Sequence, residues 1–117
     1  MGLREEIFAA NAPRYERVFI PEWNMHVRVV EMSADERDQF DLNAVAERNK
    51  DTDKTIRRIR ARLVCSCVCD EDGKRIFTDA DIDELGKGSS AAADRIYDVA
   101  SRLNRFSKAD VEELAKN

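Results

Sequence analysis

Apolar residues, many of them β-branched or aromatic, are concentrated in two short runs near the start of the chain, at residues 15–20 and 25–31. Side chains of these types favour β-strands. The four residues between the runs read Pro-Glu-Trp-Asn, and proline and asparagine favour a turn. The pattern predicts an antiparallel β-hairpin over residues 15–31.

After the hairpin, the apolar spacing lengthens to three or four residues, which indicates amphipathic helices. Ser33 and Glu36 form a capping box, in which each side chain accepts a hydrogen bond from the other's backbone amide. Thr78 and Asp81 have the same spacing. The predicted helices cover about residues 33–48, 53–69, 78–86, 89–104 and 107–116.

The predicted fold is α+β and mostly helical, with an N-terminal antiparallel β-hairpin packed on a bundle of about four to five short helices. Residues 1–14 are expected to form an arm or a short helix, because Pro13 disfavours helix continuation. Residues 15–117 are expected to form a single domain, since a chain this short supports one core. The strongest helical stripe, and therefore the expected central helix, carries Ile56, Ile59, Leu63 and Cys67.

Charged residues make up 38% of the chain, but the two signs are interspersed and the net charge is only −4. This composition favours a well-solvated globule over a nucleic-acid-binding arm or an acidic tail. No apolar run approaches the roughly 18 residues of a membrane span, so no membrane association is expected. The N-terminal residues MGLREEIF contain acids and no long apolar core, so we expect no secretory signal and a cytoplasmic location.

Three closely spaced cysteines, Cys65, Cys67 and Cys69, raise the question of a metal site. Residues two apart on a helix point in nearly opposite directions, and the single histidine, His26, lies far upstream in a predicted strand. We therefore interpret the thiols as core residues and predict no metal. The acidic turn near Gly73 also lacks the first ligand of a calcium loop, because Val68 occupies that position.

Catalytic and cofactor-binding patterns are also missing from the sequence. His26 is the only histidine available to activate a serine or cysteine nucleophile, and no HExxH or GxSxG motif occurs. The segment from Gly86 to Ser90 has glycines and a lysine before a helix, but Asp81 stands where a phosphate loop requires its first glycine. We predict a protein without catalytic residues or cofactor.

Two features suggest partner binding. Lys54, Arg58 and Arg62 follow one stripe of the central helix, opposite its apolar face, which is typical of a solvated surface or of a patch for an acidic partner. The acidic net charge disfavours a nucleic-acid partner for this stripe. Trp23, at the hairpin tip, is interpreted either as a cover for the core edge of its own domain or as an anchor for a partner.

Four segments together resemble the tail assembly chaperones of long-tailed bacteriophages, and they follow in the same order from Tyr15 to about Phe106. They are the IPEW turn between two strands, the following VRVVEMSADERDQF, then ARLVCSCVCDEDGKRIFTDADIDELG, and finally AAADRIYDVASRLN. The resemblance implies a non-enzymatic protein of the bacterial host cytoplasm. It further implies binding to the tape measure protein, recruitment of the major tail tube protein, and absence from the mature virion.

The resemblance also implies that a ribosomal frameshift can produce a longer form, of which this chain would be the shorter counterpart. Self-association is open as well, because exposed hairpin edges can pair with another copy. Two other hypotheses remain. The basic stripe is compatible with a small helical regulator that binds nucleic acid. The resemblance to phage tail proteins is also compatible with a structural protein of the tail or of its connector to the head. Salt-sensitive duplex binding would favour the regulator, and retention in purified virions would favour the structural protein.

Overall fold

A computed structural model describes residues 2–105, apart from the side chains of Thr52 and residues 54–57. This part of the chain contains five α-helices and a three-stranded antiparallel sheet, which confirms the predicted mostly helical α+β class. The helix predicted at residues 107–116 lies outside the described residues. The elements, in chain order, are α1 Leu3–Ala10, β1 Tyr15–Ile20, β2 Met25–Val30, α2 Ala34–Lys50, α3 Thr52–Cys67, β3 Val68–Cys69, a 3-10 helix Asp79–Asp81, α4 Ile82–Gly86 and α5 Ser90–Leu103.

The predicted hairpin is present, with Tyr15 opposite Val30 and Ile20 opposite Met25. Its turn is closed by the backbone amide of Trp23, which donates to the carbonyl of Ile20 at 3.0 Å. Asn24 has a φ of 52°, a left-handed conformation that asparagine tolerates better than most residues. The turn residue therefore suits the turn geometry.

The prediction that one helix extends to residue 69 was wrong, because α3 ends at Cys67 and the next two residues form β3. Val68 lies opposite Val29 in β2, and neither side chain is exposed to solvent. A strand at this position buries the β-branched Val68 and joins its backbone to the sheet, which one more helical residue could not do. The pairing enlarges the predicted two-stranded hairpin to the order β1-β2-β3.

The helix starts follow the capping signals in the sequence. Glu36 donates its backbone amide to the Ser33 hydroxyl at 3.1 Å, and the Ser33 amide donates to Glu36 Oε1 at 2.9 Å, which confirms the capping box of α2. The second oxygen of Glu36 accepts from Arg75, whose other terminal nitrogen lies 2.7 Å from Cys69 Sγ. One carboxylate thus connects the start of α2 to the residues around β3.

The core lies between the sheet and three of the helices, with α3 at its centre. The largest fully buried side chains come from β1, β2, α3, β3 and α5, and they are Ile20, Val29, Leu63, Val68 and Ile96. Phe40 and Ala44 are the buried residues of α2. Within residues 2–105, no helix has both the length and the hydrophobicity needed to cross a bilayer.

Asn104 makes the main polar connection inside this core. Its side-chain oxygen accepts from the Met32 amide at 2.7 Å, and its side-chain nitrogen donates to the Ala100 carbonyl at 2.9 Å and lies 3.5 Å from Cys67 Sγ. A buried amide must satisfy its hydrogen-bonding groups, and Asn104 does so across three elements. It therefore fixes the end of α5 against α3 and the segment that follows β2.

Candidate functional site

An apolar cleft opens beside Trp23, where the hairpin turn meets α3, α4 and the start of α5. Its volume is about 190 Å³. Apolar side chains form its walls, whereas Asp81, Glu84 and Ser89 contribute polar groups. The apolar wall residues are Trp23, Ala61, Val64, Phe77, Leu85 and Ala93. A concave apolar surface with a few polar groups is the usual form of a binding site.

Trp23 is half-buried and packs against the core cluster while it also lines the cleft. The turn that carries it is tied to α5 by an ion pair between Glu22 and Arg95, with 2.8 Å between Oε1 and Nε. The hydrogen bond from Arg95 lowers the pKa of the Glu22 carboxyl below its usual value. From the sequence, Trp23 was expected either to cover the core of its own domain or to anchor a partner. In the structure, the indole contacts the core and also forms part of the cleft wall.

The basic stripe of α3 is not the solvated face that its spacing predicts. Arg62 is only 8% exposed, and the Arg58 side chain is 27% exposed with its Nε 3.5 Å from Asp83 Oδ1. The reason is that α2 and α4 both pack on α3, so its polar side is covered as well as its apolar side. The Lys54 side chain lies outside the described residues. Arg58 and Arg62 line a polar cleft together with Asn43, Lys50 and Asp79.

The three cysteines are free and buried. Burial raises the pKa of the Cys65 thiol to about 11 and that of Cys67 to about 12, so both remain protonated near neutral pH. A neutral thiol is a poor nucleophile and a poor metal ligand. In the part of the chain with described side chains, no group of three or more histidine, cysteine, aspartate or glutamate residues could hold a metal ion.

The outer face of the sheet carries paired aromatic and basic side chains. The guanidinium of Arg28 lies 4.2 Å from the centre of the Tyr15 ring, and the rings of Phe19 and His26 are 4.9 Å apart. Arg17, on the same face, forms an ion pair with Glu71 at 2.9 Å. These contacts pair side chains of the face with one another and with Glu71, although Tyr15 and Phe19 stay exposed.

Sequence reasoning missed a second apolar surface, on α1. This helix buries no residue, and its three large apolar side chains, Leu3, Ile7 and Phe8, are exposed. The four-residue spacing from Leu3 to Ile7 was the available signal. The cleft beside Trp23 had no such signal, because its lining comes from positions between 23 and 93 that only the fold brings together.

Comparison with known proteins identifies the family. A family model described as "Phage tail assembly chaperone" matches residues 2–117, which is nearly the whole chain. The chain belongs to the phage tail assembly chaperone family. This membership gives it a chaperone role in phage tail assembly and protein partners in that process, and it confirms the resemblance seen in the sequence. The family is generally non-enzymatic.

A solved structure supports the same fold for this tail assembly chaperone. The bacteriophage HK97 tail assembly chaperone matches with a TM-score of 0.58 and 19% sequence identity, over 90% of this chain and 98% of that chain. No curated protein sequence matches significantly. At this level of identity the structural match concerns the fold, and the side chains of the cleft have to be judged on their own geometry.

Proposed function

We propose that this tail assembly chaperone binds the tape measure protein, keeps it soluble and helps to recruit tail tube subunits. It would act in the bacterial host cytoplasm and leave before the virion is complete. The observation that carries the proposal is the apolar cleft beside Trp23 in a member of this family. Trp23 is the partner-binding residue predicted from the sequence that lines this cleft.

The cleft suits the edge of an amphipathic helix. Helical ligands insert apolar side chains three or four residues apart into such grooves, and polar groups at the margin fix their orientation. Here Asp81 and Glu84 would favour a client helix with a basic residue beside its apolar anchors. A small contact of this kind gives moderate affinity, which fits a chaperone that must release its client.

The proposed role of Arg58 and Arg62 is weaker than that of Trp23. Arg62 is only 8% exposed, so little of its side chain is available to a client. The burial of Arg62 weakens the argument for the nucleic-acid-binding alternative, which requires cations at the surface. Fluorescence anisotropy with a DNA duplex at low salt should therefore detect no binding that disappears as salt is added.

Co-expression with the tape measure protein tests the proposal. The wild-type chain should increase the soluble yield of the client and co-purify with it. Gly88→Arg should reduce the co-purified client several-fold, because the new side chain would enter the cleft. Gly88 is exposed and an added Cβ meets only the Leu85 carbonyl oxygen, at 3.4 Å, so this variant is expected to fold.

Ala91→Arg is the matched control, because Ala91 is exposed on α5, lies outside the cleft lining and receives the same added charge. Equal client recovery by both variants would exclude the cleft as the docking site. Absence of any complex with the wild-type chain would contradict the function itself. Mass spectrometry of purified virions separates the chaperone, which should be absent, from a structural tail protein, which should be retained.

A further inference from the structure

A second groove lies at the opposite end of α5 from the Trp23 cleft, and its volume is about 1090 Å³. Its walls come from residues 10–14 at the base of the arm, from residues 31–34 and 37 around the start of α2, and from residues 101–105 at the end of α5. Because it is several times larger than the cleft beside Trp23, it can receive a polypeptide segment rather than a single side chain.

The groove is basic, although the protein as a whole is acidic. Its lining contains one acid, Glu31, and four arginines, namely Arg14, Arg37, Arg102 and Arg105. Arg37 and Arg102 pair with carboxylates that lie outside the lining. Arg14 and Arg105 are exposed, and neither forms an ion pair with another described residue. The groove therefore has the charge that attracts an acidic segment.

Residues 106–117, which lie outside the described residues, have the complementary pattern. The helix predicted there from the sequence turns by about 100° per residue, which places two apolar and two acidic side chains on one side of it. They are Phe106, Asp110, Glu113 and Leu114. The lysines of the segment, Lys108 and Lys116, fall on the opposite side. One side of this segment thus matches a groove that has arginines and apolar residues in its walls.

We propose that residues 106–117 dock in this groove of their own chain, with Glu113 facing the arginines and Leu114 facing the apolar part of the walls. The segment follows Arg105 directly, and Arg105 lines the groove. A short covalent connection of this kind gives a local concentration in roughly the millimolar range. An acidic segment of another protein would have to compete against that concentration, which favours the chain's own segment as the occupant.

The end of α5 supports this direction of the chain. Arg105 has a φ of 58°, a left-handed conformation that glycine usually provides after a helix and that a residue with a Cβ adopts less readily. The Arg105 amide still donates to the Arg102 carbonyl at 3.3 Å, so the turn is tied to the last residues of α5. The chain is therefore bent away from the helix axis at the residue that lines the groove.

A docked segment would connect three parts of the molecule. Residues 10–14 join α1 to β1, and the Arg14 amide donates to the Glu31 carboxylate at 3.1 Å. Arg37 donates to the Asn104 carbonyl at 3.2 Å, which links α2 to the end of α5. Residues 106–117 would lie across these links, so their docking would hold the base of the arm and restrict the directions in which α1 projects.

Amide hydrogen exchange on the full chain, without client, tests the docking. A synthetic peptide of residues 106–117 gives the reference rate, and the same residues should exchange several-fold more slowly in the wild-type chain. Glu113→Arg should bring them close to the peptide rate and should also speed exchange at the Arg14 amide. Glu112→Arg is the matched control, because it makes the same charge change on the side of the predicted helix that carries the lysines, and it should exchange like the wild type.

A charge swap provides the sharper test. Arg14→Glu should speed exchange in residues 106–117 as Glu113→Arg does, and its fold should be kept because the Arg14 side chain is exposed. Arg4→Glu is the matched control, since Arg4 is exposed on the arm but lies outside the groove lining. Combining Arg14→Glu with Glu113→Arg restores opposite charges and should recover most of the lost protection.

Several results would overturn the proposal. Exchange of residues 106–117 at the peptide rate in the wild-type chain would show that the segment does not dock. Equal effects of Glu113→Arg and Glu112→Arg, or no recovery in the double variant, would place the segment outside the groove. Protection of the groove only after the tape measure protein is added would assign the groove to the client. The exchange measurements on the chain alone fail independently of the co-purification that tests client binding.

Discussion

Helices α3 and α1 both carry apolar residues at helical spacing, yet their surroundings are opposite. Neighbours cover α3 so fully that Ala61, Arg62, Leu63, Val64 and Cys65 are all buried in succession, whereas α1 has no buried residue. The periodicity of a helix therefore identifies which side is apolar but not what covers it. In this chaperone, the better sequence stripe belongs to the core and the weaker one to the surface.

The largest expected effect is a difference in stability between substitutions in α3 and in α1. Leu63→Ala in α3 should lower the free energy of unfolding by about 2–5 kcal/mol, because it leaves a cavity in a fully packed core. Ile7→Ala in α1 should change it by no more than about 0.5 kcal/mol in dilute protein, as is usual for exposed positions. Urea denaturation measures both values. Similar losses would mean that α1 is part of the core.

Asn104→Ala should lower the free energy of unfolding, because Asn104 connects α5 to α3 and to Met32. This change leaves the buried Met32 amide without its acceptor, and an unsatisfied buried group costs about 1–3 kcal/mol. Urea denaturation gives the loss, and amide hydrogen exchange should locate it at Met32. Ser101→Ala, one turn earlier on α5, serves as a control, because the Ser101 hydroxyl is buried and makes no hydrogen bond within the described residues. A stability of Asn104→Ala equal to that of the wild type would refute the bridging role.

Alkaline pH should lower the free energy of unfolding through Cys67, a buried residue of α3. The pKa of this thiol is about 12 in the folded protein and about 9 in the unfolded chain, so the unfolded state loses the proton first as pH rises. The stabilising contribution is complete below pH 9 and decreases between pH 9 and 12. At pH 10 the loss is about 1.4 kcal/mol.

Cys67→Ala isolates this contribution. Urea unfolding of the wild type and the variant should be compared at pH 7 and pH 10. The variant should lose about 1.4 kcal/mol less than the wild type over that interval. Identical pH dependence in the two proteins would argue against a buried, protonated Cys67 thiol.

The smallest effect concerns the exposed side of α3, where Arg60 pairs with Asp94 of α5. Both side chains are about half exposed, so Arg60→Ala should cost no more than about 1 kcal/mol. The difference from the wild type should shrink further in concentrated salt, because salt screens surface charges. A large, salt-independent loss in thermal denaturation would show that this part of α3 is more enclosed than its exposure indicates.

Local features of the fold were readable from the sequence, and features that depend on distant contacts were not. The Ser33–Glu36 capping box and the hairpin with its Asn24 turn depend on neighbouring residues, and both are present. The pairing of Val68 with Val29 joins positions far apart in the chain, so helical periodicity continued across it by mistake.

The candidate site was predicted only in part for the same reason. Trp23 stood out as a large aromatic residue in a turn, but its cleft requires α3, α4 and α5 to meet. The burial of Arg62 depends on the packing of α2 and α4, which a stripe on one helix cannot reveal. The sequence therefore indicated that Trp23 was unusual, but the cleft around it could be seen only in the tertiary structure.

The Glu36 carboxylate holds two segments of this chaperone together. Because its two oxygens hold the Ser33 amide and Arg75, loss of this single side chain frees the first turn of α2 and the loop after β3 at once. The two segments should therefore fluctuate as one cooperative unit, exchanging their amide protons with a shared opening rate rather than fraying separately.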